Sequence, residues 1–403
     1  MDLSYGEAAE VFRGEVRAFL ASHWPPANDL RGDDLKQFVR AFRRQATEQG
    51  YLYRAIPKRY GGSEQPVDVI RAQVIREEFQ RARAPMEVGG NGMNMTVPTL
   101  LEKGTEEQRE LFVRKTLEGD YIWGQGYSEP GAGSDLASVR TRGELSADGS
   151  KWIINGQKIW TSQGMQATHM FMLVRTEPDA PKHDGITYLL IDLDQPGVTR
   201  RPIRQMTGEA GDHTFCEFFF DNAETPVAWQ VGERGQGWYV SRTTLKHERA
   251  SIGGADGLGR QFAKLVELAK EVNRIEDPLV RDKLTQIEGF VLSHRYSSYR
   301  IFSCAAAGDD PGPVSLMMKL LLTEIGHEIA LLAQELLGEH AFVEPVGAGG
   351  RGSRGPRGPE KWMDQIMGSL GNSIAGGTSN IQRNIIGERG LGLPRDLAIS
   401  AER

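Results

Sequence analysis

A carboxylate beside an arginine and several hydroxyl-bearing, glycine-rich loops are the groups in this 403-residue sequence that could do chemistry. Glu248 and Arg249 stand together in Leu245-Lys-His-Glu-Arg-Ala250, early in a segment whose spacing predicts a helix. Small residues follow at Ala250, Ser251, Gly253 and Gly254, leaving room beside that helix. A carboxylate so placed can serve as a general base, although a Glu–Arg pair is equally the mark of a solvated helix surface. Tyr127-Ser-Glu-Pro-Gly-Ala-Gly-Ser-Asp135 is a compact turn. Pro130 and two glycines let its backbone N–H groups approach an anion, and Ser128 and Ser134 add hydroxyl donors. Trp160-Thr-Ser162 offers a flat indole followed by the hydroxyls of Thr161 and Ser162, suited to stacking and hydrogen bonding. In Gly376-Gly-Thr-Ser-Asn-Ile-Gln-Arg383, Thr378 or Ser379 can cap a helix whose free N–H groups favour an anion or a polarised carbonyl. Taken singly, these segments also read as a turn, a core tryptophan and a simple cap.

Other patterns carry less. Gly253-Gly-Ala-Asp-Gly-Leu-Gly259 neither follows a strand nor opens a helix, so it is not a dinucleotide fingerprint. His327-Glu328 has no second histidine at helical spacing, which argues against zinc, and no G-x-S-x-G elbow occurs.

The elements that must position these groups fall into an order of helices, strands and helices. Apolar residues at three- and four-residue spacing over 6–22, 33–50 and 65–82 predict amphipathic helices, as with Val11, Phe12, Val16, Phe19 and Leu20. Between Tyr121 and Pro226 the runs become short and β-like. Lys151–Trp160 reads as two strands around an Asn155-Gly156 hairpin turn. His169–Val174, Ile186–Ile191 and Phe215–Phe220 read as further strands. Helical patterning returns over 256–273, 279–306, 313–338 and 359–371. A β domain between two helical domains fits this order best. Gly347–Pro359, rich in Gly, Pro and Arg, is expected as a flexible loop.

The bulk numbers set limits. A formal charge of −6 without a basic stripe argues against nucleic acid. No apolar run approaches bilayer length and the N-terminus lacks signal-peptide character, so no membrane span is expected and a cytoplasmic location is the simplest reading. Cys216 and Cys304 make no disulfide framework.

Together the segments resemble the acyl-CoA dehydrogenase family over nearly the whole chain. Ile56-Pro-Lys-Arg-Tyr-Gly-Gly62 is similar to the family's W-P-x-x-Y-G-G, and Val97–Leu100 with Gly104–Gln108 to its P-T-L…G-T-E-E-Q. Tyr127–Asp135 contains its [TS]-E-P-G-A-G-S-D loop, Asn155–Trp160 its N-G-x-K-x-W and Gly377–Arg383 its G-T-S-x-I-Q-R. The resemblance implies an α+β multi-domain subunit: an N-terminal helical domain over 1–121, a β-barrel-like middle domain over 122–230 and a C-terminal four-helix bundle over 231–403. It implies FAD between the last two. Gln125, Tyr127 and Ser128 would contact the flavin, Trp160, Thr161 and Ser162 would lie against it, and Gly377, Thr378 and Asn380 would hold other parts. Ser134 would bind the pantetheine arm, and Arg249 lies where the family meets coenzyme A.

Two departures narrow the reading. Many members carry their catalytic glutamate immediately before G-T-S, where this chain has Gly376. A second branch carries it in an E-R pair on the first helix of the C-terminal domain, which Glu248-Arg249 matches. The family's R-x-x-F-G, which reaches the FAD pyrophosphate from a neighbouring subunit, is replaced by Asn273-Arg-Ile-Glu-Asp-Pro278, and a family Gln appears as Glu335. The implied reaction is α,β-dehydrogenation of an acyl-CoA to the trans-2-enoyl-CoA. Glu248 takes the α-proton, the Gly376 N–H supports the thioester oxygen, hydride passes to flavin N5, and electrons leave to an electron-transferring flavoprotein. Homodimer, homotetramer or a heteromer whose partner completes the pocket all fit. The alternatives are a flavin oxidase or monooxygenase on this fold, or a non-catalytic subunit.

Overall fold

The computed structural model describes residues 5–26, 30–206, 215–252, 256–342 and 359–394, without the side chains of 249–252, 256 and 359–361. Most of the loop expected over 347–359 lies outside the described residues, as do Gly253 and Gly254.

Five helices come first: α1 (Glu7–His23), α2 (Gly32–Glu48), α3 (Val69–Ala82), α4 (Val97–Lys103) and α5 (Glu106–Glu118). In α1 the buried positions are Ala9, Phe12, Val16, Phe19 and Leu20, the stripe that helical periodicity demands. Val11, counted with that stripe, points outward and is exposed. Pro66 delays α3, which opens at Val69 with the Asp68 carboxylate accepting from the Arg71 N–H. A reciprocal capping box between Thr105 and Gln108 starts α5. The Gln108 side-chain amide also donates to the carbonyls of Ala228 and Gln230, tying this helix to the end of the sheet region.

The middle of the chain forms one eight-stranded sheet: β1 (Trp123–Gly126), β2 (Arg142–Leu145), β3 (Lys151–Ser162), β4 (His169–Arg175), β5 (Ile186–Asp192), β6 (Val198–Pro202), β7 (Phe215–Pro226) and β8 (Gln230–Val231). The order is β6-β7-β3-β2-β4-β5-β8, with β1 pairing parallel to β4. The hairpin expected at Asn155-Gly156 is not there. Lys151–Ser162 is a single strand paired with β7, and its register shifts between Ile154 and Gly156. The extra residue at this shift lies on β7, between Phe220 and Ala223, and a Cβ at Gly156 would lie 2.6 Å from Thr141 Oγ1, so the glycine permits a close backbone approach within the strand rather than a turn.

Strand β4 is buried on both faces. Phe171 and Leu173 pack with the N-terminal helices and Tyr188, whereas Met170, Met172 and Val174 pack with Trp152, Ile154 and Phe218. The C-terminal part comprises α6 (Gly237–Ile252), α7 (Asp256–Glu271), α8 (Pro278–Ala307), α9 (Val314–Leu337), α10 (Pro359–Asn372) and α11 (Ser379–Ile385). Helices α7 to α10 share their own core of Leu265, Ile287, Ile329, Ala333 and Met363. Helix α6 is different: Val240 belongs to the core shared by the N-terminal helices and the sheet. It packs on the N-terminal helices and the sheet, while α3 and α8 also meet directly.

Candidate active site

Strand β1 delivers the chain into the Tyr127–Asp135 loop, and β3 runs alongside it. The Ile159 N–H donates to Ser128 O at 3.0 Å, and Thr161 Oγ1 donates to Gln125 O at 3.0 Å. Gln125, Tyr127, Ser128, Trp160, Thr161 and Ser162 are therefore brought together. Thr161 is buried and its hydroxyl serves this cross-link. Ser162 is exposed. Trp160 has a left-handed backbone at φ 65° and an indole 54% exposed, edge-on to Phe215 at 5.9 Å. Trp160 lies where β3 carries one residue more than β7, between Lys158 and Thr161, and this bulge goes with its left-handed backbone and outward indole.

The loop is clamped from beneath by a pair not singled out from the sequence. Lys158 is fully buried and donates to Glu129 Oε1 and to Leu173 O, each at 2.7 Å. Glu129 also accepts from the N–H groups of Arg140 at 2.7 Å and Thr141 at 2.9 Å. Burial pushes the Lys158 ammonium down to about 8, and the neighbouring carboxylate pulls the other way. Burial would raise Glu129, but Lys158 together with the Thr141 and Arg140 hydrogen bonds outweighs it, and the carboxyl stays below its usual range. The signal was present in the alternation of β3. Trp152, Ile154 and Lys158 share one parity, so the lysine had to face inward.

Glu248 lies in the last turns of α6, not early in the helix as its local pattern suggested. It follows Val240 and Thr244 at four-residue intervals on the face turned into the molecule, and is half-buried. Thr244 is fully buried, 2.9 Å from the Thr99 hydroxyl and 3.3 Å from that of Tyr188. Tyr127 packs edge-on against Tyr188. Burial first, then Tyr188 and the Glu248 charge, raise the Tyr127 phenol well above its usual range. Glu248 also acts on the buried ammonium of Lys319 in α9. The Glu248 charge thus bears on groups of both the Tyr127 loop and the C-terminal helices.

The segment ahead of α11 completes the surroundings. Gly376 and Gly377 have φ of 62° and 88°, so the chain makes two left-handed steps that favour glycine. Thr378 caps α11, accepting from the Ile381 N–H at 3.2 Å, and Gln382 Nε2 donates back to Gly376 O at 3.1 Å. Among the described residues, none accepts from the Gly376 N–H. Ser134 and Asn380 are exposed, and the Arg249 side chain lies outside the described residues.

Profiles of the acyl-CoA dehydrogenase N-terminal, middle and C-terminal domains match residues 6–120, 124–223 and 235–391. The chain belongs to the acyl-CoA dehydrogenase family. Acyl-CoA dehydrogenase IpdE1 of Mycobacterium tuberculosis is 36% identical over 398 residues, covering 96% of this chain and 98% of its own. Among solved structures, the Tcur3481-Tcur3483 steroid acyl-CoA dehydrogenase superposes with a TM-score of 0.74 at 28% identity, covering 98% of this chain and 100% of that one. The ChsE4-ChsE5 complex from Mycobacterium tuberculosis gives 0.73 at 28%, with the same coverage. This acyl-CoA dehydrogenase therefore has the helical, sheet and helical arrangement of its family, and no described helix is long and apolar enough to cross a membrane. Where other members carry R-x-x-F-G, its α7–α8 turn is closed on itself. Arg274 pairs with Asp277 at 2.6 Å, and Asp277 caps α8 by accepting from the Leu279 N–H. Glu335 is engaged by Lys283.

Proposed function

We propose that this chain dehydrogenates an acyl-CoA thioester at its α and β carbons, with Glu248 as base and the Gly376 N–H as a donor to the thioester oxygen. The observation that carries the reading is the position of Glu248. It acts on Tyr127 of the loop on one side and on Lys319, beside the Gly376 turn, on the other, while Gly376 has no side chain of its own. Removing an α-proton builds negative charge on the thioester oxygen. A donor aimed at that charge is worth about 2.7–4 kcal/mol in well-studied enzymes. Glu248 supplies the proton acceptor at the end of a helix whose preceding turns are locked by Thr244.

The residues fit FAD. Trp160 and Ser162 stand exposed beside a loop in which a Cβ at Gly131 or Gly133 would meet nothing within 4 Å, so a flat ring can lie against an indole and bare backbone. Ser128, Trp160 and Ser162 would hold the flavin ring, and Gly377, Thr378 and Asn380 the rest of the cofactor. FAD, when bound, supplies the acceptor for the β-hydride. Ser134 and Arg249 would meet coenzyme A. Because Arg274 is already paired with Asp277, a second chain is the best source of the missing contact to the cofactor, in keeping with the paired names of the Tcur3481-Tcur3483 and ChsE4-ChsE5 proteins. The acyl group would be bulky and polycyclic, as the steroid relative suggests, and the electron acceptor an electron-transferring flavoprotein.

The test is anaerobic mixing of the purified holoprotein, with any partner chain, with a panel of acyl-CoAs. Bleaching of the flavin absorbance is expected. A flavin that no acyl-CoA bleaches would favour a non-catalytic subunit, and stoichiometric oxygen uptake in air would favour an oxidase.

A further inference from the structure

Lysine is seldom buried without a task. Lys319 of α9 is 6% exposed, and its Nζ donates to Asn372 O at 2.9 Å and Gly377 O at 2.8 Å. The first acceptor is the last residue of α10, where a cation commonly satisfies a free helix carbonyl. The second is not a helix end. It is the carbonyl just past Gly376, so the ammonium bridges the two limbs of the turn that carries the Gly376 N–H. Other bonds hold the same turn: Gln382 Nε2 to Gly376 O at 3.1 Å, the Ser379 N–H to Ser373 O at 3.0 Å, and Thr323 Oγ1 to Asn372 O at 3.4 Å. Two successive glycines with positive φ leave this backbone many conformations, and these contacts select one.

We propose that Lys319 is a positioning residue for the reaction: it clasps the carbonyls of Asn372 and Gly377 so that the Gly376 N–H is presented to the thioester oxygen. This rests on the reading of Glu248 and Gly376 given above. Burial lowers the Lys319 ammonium and the Glu248 carboxylate opposes that shift, so the two groups sense each other. The other titratable groups near this point are His294 of α8, which burial keeps low, and the half-exposed Arg383–Glu324 pair. Any effect of the Lys319 charge on Glu248 is a secondary readout beside the clasp, carried by the same Coulomb interaction. A structural lysine that only closed α10 would have neither effect.

The experiment compares Lys319→Met, Lys319→Gln and Glu248→Gln as purified holoproteins, with the partner chain if one is required. FAD content, KM, kcat for flavin reduction and its pH profile are measured with one acyl-CoA. Lys319→Met is expected to retain FAD, lose about 10- to 100-fold in kcat with a smaller change in KM, and move the acid limb of kcat to higher pH. Lys319→Gln keeps N–H donors without the charge, so it should recover part of kcat while its acid limb stays displaced. A Lys319→Met holoprotein with unchanged kcat and pH profile, beside an inactive Glu248→Gln, overturns the role of Lys319 alone. An active Glu248→Gln overturns the base assignment and leaves the Lys319 clasp to be judged on kcat. If Lys319→Met does not accumulate folded, Lys319→Gln decides: kcat and acid limb both at wild-type values refute the inference.

Discussion

Lys158 Nζ lies 2.7 Å from Glu129 Oε1, and the lysine is fully buried while the glutamate is nearly so. The pair joins the third strand to the loop that begins at Tyr127, and the same strand ends in Trp160 and Ser162. Removing the lysine leaves a buried carboxylate with only its backbone partners, which costs about 3–5 kcal/mol in comparable cases. Lys158→Met should therefore lower the denaturant midpoint and release FAD on dilution. Equal flavin retention in mutant and wild type would remove the loop-clamp role.

Acid should act through the other partner. Glu129 is held below the usual carboxyl range in the folded protein, burial being outweighed by Lys158 together with the Thr141 and Arg140 hydrogen bonds. Its folded value is depressed, so its contribution is complete above the unfolded carboxyl range and is lost as pH falls through the lower folded value. Stability should decline below about pH 4.5, with a shallower slope in Glu129→Gln. Superimposable pH slopes would show that Glu129 is not the group responsible.

Glu248→Gln should bind FAD normally and reduce it slowly. A general base contributes about 10²–10⁴-fold, so single-turnover bleaching is expected to slow by that factor. Bleaching near the wild-type rate would falsify the assignment.

Moving the glutamate to the position before G-T-S should not restore activity. Gly376 has a φ of 62°, and a residue with a Cβ pays about 1–2 kcal/mol in that conformation. Glu248→Gln combined with Gly376→Glu is therefore expected to stay inactive, through distortion of the turn. Recovered bleaching in the double variant would show that the turn relaxes freely.

A branched or ring-bearing acyl-CoA should outperform butyryl-CoA in kcat/KM. If the thioester binds at the Gly376 turn as proposed, Gly376 and Ala375 leave side-chain volume open there, and empty apolar space forgoes contact energy. Trp123, a residue that could move in, is held by its indole N–H on the Thr116 hydroxyl at 2.8 Å and by Phe112 and His169. A preference for the straight short chain would refute this.

Much of this was legible in the residue order. Apolar spacing placed α1, α8 and α9 to within a few residues, because one buried stripe on a helix leaves a period that local sequence must carry. The loop and cap motifs were legible too, since Pro130, the paired glycines and Thr378 act on neighbouring backbone. What local pattern misjudged depended on distant partners. Asn155-Gly156 has turn chemistry, yet pairing with β7 and the close approach of Thr141 keep it inside a continuous strand. Lys158 and Lys319 look like surface residues in a linear reading. Their acceptors, Glu129 and Leu173 for one, Asn372 and Gly377 for the other, lie 15 to 58 positions away. Sequence alone determined the elements and the inventory of chemical groups, because those follow from short-range sterics and periodic burial. Only the tertiary structure decided which buried cation meets which oxygen, because an ion can leave water only where the folded chain has already brought its partner.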